Sequence, residues 1–172
     1  MLWMWGTRTT TRESGHHGVL ALLGIGVLVL STATCRTRDT ASVQSCTTEL
    51  SSRAETAVGQ AIGALRSRGA LEWKEVHSLY RQHAACDDGS VAEGFDDLIV
   101  GMLARRWRTL DSLSGLTVLD SSFESFVLRH ISATADDDEL RRIQASSHGC
   151  SSDDLARLCE RIEVACDRAL AE

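Results

Sequence analysis

Proline is absent from this chain, lysine occurs only once, and aromatic residues make up 5% of it. Without proline, no helix is interrupted by a missing backbone N–H or a fixed φ angle. The scarcity of aromatic and β-branched residues, beside plentiful alanine, leucine, arginine and glutamate, favours helices over sheets. We therefore expect an all-α protein, a single compact bundle of about six helices.

The sequence signatures of common enzyme and cofactor sites are also missing. The chain has no HExxH zinc motif, no GxSxG nucleophile elbow, no P-loop and no GxGxxG turn. It has no CxxC pair, which argues against a thioredoxin-like motif and against a zinc ribbon. We predict no catalytic residue, no metal site and no cofactor, and the balance is against an enzyme.

Near the N-terminus lies one uncharged apolar run, residues 19–30. Arg8 and Arg12 precede it, and the small residues 31–34 follow it, which is the order of a secretory signal. The run is shorter than the roughly 20 apolar residues that a membrane-spanning helix needs. The sequence therefore predicts export from the cytoplasm.

The fate of this leader leaves three alternatives open. Cleavage after Ala33 would remove a signal peptide, residues 1–33, and leave a flexible lead, 34–41, before a helical domain, 42–172. Lipidation of Cys35 is the second alternative, because this cysteine follows a small-residue stretch as a lipoprotein cysteine does. The third is an uncleaved membrane anchor. The predicted location is periplasmic or secreted, with membrane anchoring as the alternative.

Acidic residues outnumber basic ones, 24 to 18, for a formal net charge of −6 at pH 7. A negative surface argues against nucleic acid and anionic membranes as partners. We expect a protein partner, and contact with a membrane only through the leader or a lipid on Cys35.

Cysteines of an exported protein are expected to form disulfides. Cys159 and Cys166 lie seven residues apart on one predicted helix, about 10 Å along its axis, which is too far for a bond between them. Several other pairings remain open, and we favour Cys46–Cys86 and Cys150–Cys159. If Cys35 is lipidated, one of the other five must be free or pair with another chain. The disulfide candidates are Cys46, Cys86, Cys150, Cys159 and Cys166.

Apolar residues at spacings of three and four predict the helices, which are placed at about residues 42–68, 71–85, 91–110, 121–131, a short fifth helix after Asp136, and 152–171. Residues 111–119 contain serine and glycine and are predicted to be a loop, and residues 146–150 a turn. The third helix has the clearest apolar stripe and is expected to be central. The predicted N-caps, each with an acid three residues later, are Ser90, Ser121, Asp136 and Ser151.

Two charged segments are candidate partner-binding surfaces, formed by Asp87, Asp88 and Glu93, and by Arg105, Arg106, Trp107 and Arg108. The acids resemble a small cation site, but they lack the ligand order of an EF-type calcium loop. Stabilisation of a turn and a helix N-terminus explains them better. Arginine and tryptophan are favoured interface anchors, although a helix C-terminus also attracts positive charge. His130 with Asp120 and a serine could form a triad, but a serine-rich sequence offers many such sets.

Three pieces of the chain carry a resemblance: Cys86-Asp87-Asp88-Gly89 with Ala92-Glu93-Gly94-Phe95, the segment Phe126-Val127-Leu128-Arg129-His130-Ile131, and Cys150 with Leu158-Cys159. Over roughly residues 70–170 the chain resembles uncharacterised exported helical proteins of Gram-negative bacteria. That group has no assigned activity, so the resemblance implies no catalytic residues. Small exported helical proteins include immunity proteins that neutralise toxins of contact-dependent secretion systems, an analogy of size, compartment and fold class.

Our first hypothesis is a non-enzymatic periplasmic protein-interaction module, such as an immunity-like inhibitor of a secreted toxin. A small periplasmic enzyme or metal-binding protein that uses Asp87, Asp88, Glu93 and His130 is one alternative. A structural envelope lipoprotein is another. Export and disulfides without a catalytic signature favour the first.

Overall fold

The computed structural model describes residues 45–68, 71–150 and 152–172. These ranges contain no strand, and the predicted all-α fold is confirmed. They form seven α-helices, α1 (Thr48–Arg68), α2 (Trp73–His83), α3 (Gly89–Arg105), α4 (Leu110–Leu119), α5 (Ser121–Arg129), α6 (Asp137–His148) and α7 (Asp153–Ala171), with short 3-10 helices at Ala84–Cys86 and Trp107–Thr109. The predicted leader, the flexible lead and Cys35 lie outside the described residues. Within those ranges, no helix combines the length and the apolarity that crossing a bilayer requires.

Helix α3 lies at the centre of the bundle, as the sequence predicts. Its apolar stripe is buried throughout, at Val91, Phe95, Leu98, Ile99, Met102 and Leu103. Helix α1 packs along it, and α6 packs against both α3 and α7. Two glycines of α3 permit the close approach of α1, since a Cβ at Gly94 or Gly101 would lie 3.0 Å from a side-chain carbon of Val58 or Leu65, respectively.

The prediction of a loop over residues 111–119 is wrong, because α4 occupies Leu110–Leu119. Serine and glycine lower helix propensity by no more than about 1 kcal/mol each. Burial of Leu110 and Leu113 is worth about 1.5–3 kcal/mol per side chain, and this outweighs the propensity cost. Helix α6 likewise continues to His148 despite its serines, into the turn predicted at residues 146–150. In contrast, α1 begins only at Thr48, and residues 45–47 are not helical.

Aspartates cap three of the helices. The prediction for Asp136 is confirmed, since its carboxylate accepts hydrogen bonds from the backbone N–H groups of residues 138 and 139. The predictions for Ser90 and Ser121 are wrong, because α3 and α5 begin earlier and are capped by Asp88 and Asp120. A charged carboxylate at these positions both accepts the free N–H groups and complements the helix dipole. The residue before α7 is Ser152, whose side chain makes no capping bond, and the predicted cap Ser151 lies outside the described residues.

Both favoured disulfides are present in the structure. Cys46–Cys86 joins residues 40 apart, and Cys150–Cys159 joins residues nine apart. Cys166, the remaining candidate, forms no disulfide within the described ranges and is buried in α7. Burial, aided by neighbouring acids, raises the pKa of its thiol to about 11. Two disulfides in a chain of this size indicate an oxidising, non-cytoplasmic compartment.

Candidate functional site

Three consecutive residues between α2 and α3 attach to three different parts of the bundle. Cys86 is bonded to Cys46, just before α1. Asp87 pairs with the C-terminal end of α5. Asp88 caps α3, and its carboxylate accepts a hydrogen bond from the N–H of Gly89 at 2.8 Å. Gly89 has a φ of 51°, a backbone conformation in which a side chain would be strained.

His130, at the end of α5, lies between two carboxylates and has a side chain only 4% exposed. Its Nδ1 is 2.6 Å from Oδ1 of Asp96, and its Nε2 is 3.1 and 3.3 Å from the two carboxylate oxygens of Asp87. Arg129 donates a second charged hydrogen bond to Asp87, at 2.5 Å. Ionised carboxylates only accept hydrogen bonds, so contact with two of them favours donation by both ring nitrogens, that is, the imidazolium form of His130.

Hydroxyl groups complete the environment of Asp96. Ser132 and Thr134 each donate a hydrogen bond to its Oδ2, at 2.8 Å. Since the Ser132 hydroxyl donates to the carboxylate and not to His130, the group lacks the bond between nucleophile and base that a hydrolytic triad needs. His130 and Asp120 do not come together either, because Asp120 pairs with His77 at 3.0 Å, whereas His130 pairs with Asp87 and Asp96.

The pKa values in this cluster are shifted towards the charged forms. Burial opposes the charge of His130 and lowers its pKa, but the hydrogen bonds to Asp87 and Asp96 outweigh burial and raise it overall. Burial likewise raises the pKa values of both aspartates, and the bonds from His130, Arg129 and the hydroxyl groups bring them below their usual range. The cluster is therefore an internally compensated ionic network.

This network predicts a pH dependence of folding stability. The pKa of His130 is higher in the folded state, so its contribution is complete below about pH 6.5 and is lost as pH rises through the folded value. The aspartate contributions are complete above about pH 4 and are lost as pH falls through their lowered values. We expect the urea midpoint to be highest between these limits. The variant His130→Gln should lose the alkaline decline, and an unchanged decline would contradict this assignment.

The acidic candidates do not assemble into a metal site. Among the described residues, no three His, Cys, Asp or Glu side chains are placed to hold a metal ion. Asp87 is occupied by Arg129 and His130, whereas Asp88 caps α3. Glu93 is exposed and lines a separate cavity of about 390 Å³.

The four basic and aromatic candidates form a turn at the end of α3, which we call the 105–108 turn. Its side chains line three different cavities. Arg105 lines one of about 460 Å³ beside the start of α6, and it pairs there with Glu139 at 2.6 Å. Arg106 lines a second, of about 370 Å³. Trp107, partly buried against the core, and the exposed Arg108 line a third, of about 210 Å³.

Comparison with protein-family models, curated proteins and solved structures gives no match. The resemblance to uncharacterised exported helical proteins therefore stays a prediction. Any function must be inferred from the geometry of the described residues.

Sequence reasoning missed the buried charge on α5. Glu124 was predicted only as a capping partner, but its side chain is 5% exposed and lies between two arginines of α7. Its carboxylate is 3.0 Å from Arg157 and 2.7 Å from Arg161. The available signal was the i, i+4 spacing of these arginines, which places both on one helix face.

Proposed function

We propose that this chain is an exported, non-enzymatic protein-interaction module that acts in the periplasm or outside the cell. The 105–108 turn is its main contact surface. The observation that carries this proposal is the arrangement of that turn, in which consecutive arginine and tryptophan side chains line three different cavities. Arginine and tryptophan are enriched among the residues that dominate binding energy at protein interfaces.

The setting of the turn supports this role. Trp107 packs against the core, and Cys150 of the second disulfide lines the same cavity as Trp107 and Arg108. A turn held in this way loses little conformational entropy when a partner binds, so more of the contact energy appears as affinity. The exposed Arg108 and the partly buried Arg106 suit an acidic or aromatic patch on the partner.

An immunity-like inhibitor is the form of this function that we favour. In this form of the function, the chain would neutralise a toxin by binding it through a preformed surface. The support consists of the predicted leader, the disulfides of an oxidising compartment, and a compact helical domain of suitable size. This function requires only that the chain bind a partner surface, without a chemical reaction.

Site-specific photocrosslinking in the native host tests the proposed contact. A photoreactive amino acid would replace Arg108 in the full chain, and the matched control would replace Arg53, an exposed arginine of α1 paired with Glu49. We expect a discrete protein adduct at position 108 that is absent at position 53 and lost with Arg106→Glu. The same adducts at both positions, or none at 108, would refute the proposed surface.

A further inference from the structure

A second charged surface lies on α7, on the face towards α5. Arg157, Arg161, Val164 and Arg168 recur at i, i+4, i+7 and i+11, so their side chains share one helix face. All four are exposed, and Val164, at 63%, is one of the few large apolar side chains that are exposed in the part of the chain that the structure describes. With Arg129 of α5, we call these residues the arginine face.

The arginine face borders a cavity of about 410 Å³ between the two helices. Arg129, Arg161 and Arg168 line it together with the hydroxyl-bearing Ser125 and Ser132. Within that lining, Glu172 is the sole acidic residue. This basic cavity contrasts with the net charge of −6 on the chain as a whole.

Hydrogen-bonding capacity remains on these arginines after their internal contacts are counted. The Glu124 carboxylate forms ion pairs with both Arg157 and Arg161, and the Asp87 carboxylate forms one with Arg129. Arg168 donates only a long bond, 3.4 Å, to a backbone carbonyl, and has no carboxylate within ion-pair distance among the described residues. Each guanidinium has five N–H donors, so most of them stay available to an external acceptor.

We propose that the arginine face binds an acidic segment of a protein partner. Carboxylates of that segment would accept hydrogen bonds from Arg161 and Arg168, and an apolar side chain would contact Val164. Arg157 and Arg168 are eleven residues apart, or about 16 Å along the helix, which exceeds the size of one small anion and fits charges distributed along a chain. This surface is separate from the 105–108 turn, and the proposal does not depend on that turn.

Fluorescence anisotropy on the full, oxidised chain tests the proposal. The probe is a labelled synthetic peptide of glutamates around one leucine, and the matched probe has glutamine at every glutamate. We expect the glutamate peptide to bind, and Arg168→Glu to weaken it about tenfold, the equivalent of one lost charge-assisted hydrogen bond. Val164→Ser should weaken it about threefold through lost apolar contact. Arg53→Glu, at an exposed position of α1, should leave binding unchanged.

Three results would overturn the proposal. The first is equal binding of the glutamine peptide, or no binding of the glutamate peptide. The second is an equal loss with Arg53→Glu and Arg168→Glu, which would show only a response to net charge. The third is displacement of the peptide by inorganic phosphate at similar concentrations, which would indicate a small-anion site. Unchanged far-ultraviolet circular dichroism would establish that each variant is folded.

Discussion

Replacement of His130 by glutamine is expected to lower the free energy of unfolding by about 3–5 kcal/mol near pH 6, the usual result of removing one partner from a buried ionic network. Glutamine preserves some hydrogen bonding but removes the positive charge between Asp87 and Asp96. Asp87 would then keep only its pair with Arg129, and Asp96 only the hydrogen bonds from Ser132 and Thr134. Urea denaturation, followed by circular dichroism, measures the effect.

Two further variants make this prediction specific. His148→Gln is the matched control, since His148 is exposed and its pair with Glu163 should be worth less than about 1 kcal/mol. Asp96→Asn in the His130→Gln background should recover part of the loss, because one uncompensated carboxylate is removed. A loss from His130→Gln no larger than that from His148→Gln would contradict the charged assignment.

Removal of the Cys46–Cys86 disulfide, by replacing both cysteines with serine, is expected to cost about 4 kcal/mol through the entropy gained by the unfolded chain. The closed loop is long, with its two cysteines 40 residues apart. The bond also holds Cys86 in place, and Cys86 directly precedes Asp87. Loss of the bond is therefore expected to weaken the contact between Asp87 and His130. Urea denaturation of the oxidised parent and the double variant measures the difference.

The second disulfide supplies the internal control for this prediction. Cys150 and Cys159 lie only nine residues apart, so replacing both should cost about 2.7 kcal/mol by the same loop-closure relation. The expected order is therefore a larger loss from Cys46–Cys86 than from Cys150–Cys159. The reverse order would show that unfolded-chain entropy is not the main contribution of these bonds.

Much of the fold was predictable because the helices bury regular apolar stripes. Helix α3 is the clearest example, since the spacing of residues such as Val91, Phe95 and Leu98 identifies both its class and its buried face. Helix α4 was not predictable from local sequence, because its serine and glycine residues are typical of loops. Only tertiary burial of Leu110 and Leu113 makes it helical.

The ionic network was less predictable than the helices. His130 meets Asp96 and Asp87 across separations of 34 and 43 residues, and periodicity carries no information about contacts at such distances. The sequence does single out Asp87, but as a residue for an external partner, whereas the structure pairs it within the chain. The 105–108 turn was identified from residue type alone, and the three cavities around it became visible only once the helices were packed.

Each residue of the segment Cys86-Asp87-Asp88, between α2 and α3, makes a separate contact with the rest of the bundle, so the length of this segment is constrained. Inserting or deleting one residue there would shift the backbone by about 3.5 Å and turn the three side chains away from the groups they contact. The disulfide, the contact with His130 and the cap of α3 would be lost together. The length of this connection is therefore expected to tolerate change less well than the side chains around it, because one insertion or deletion disturbs three contacts at once.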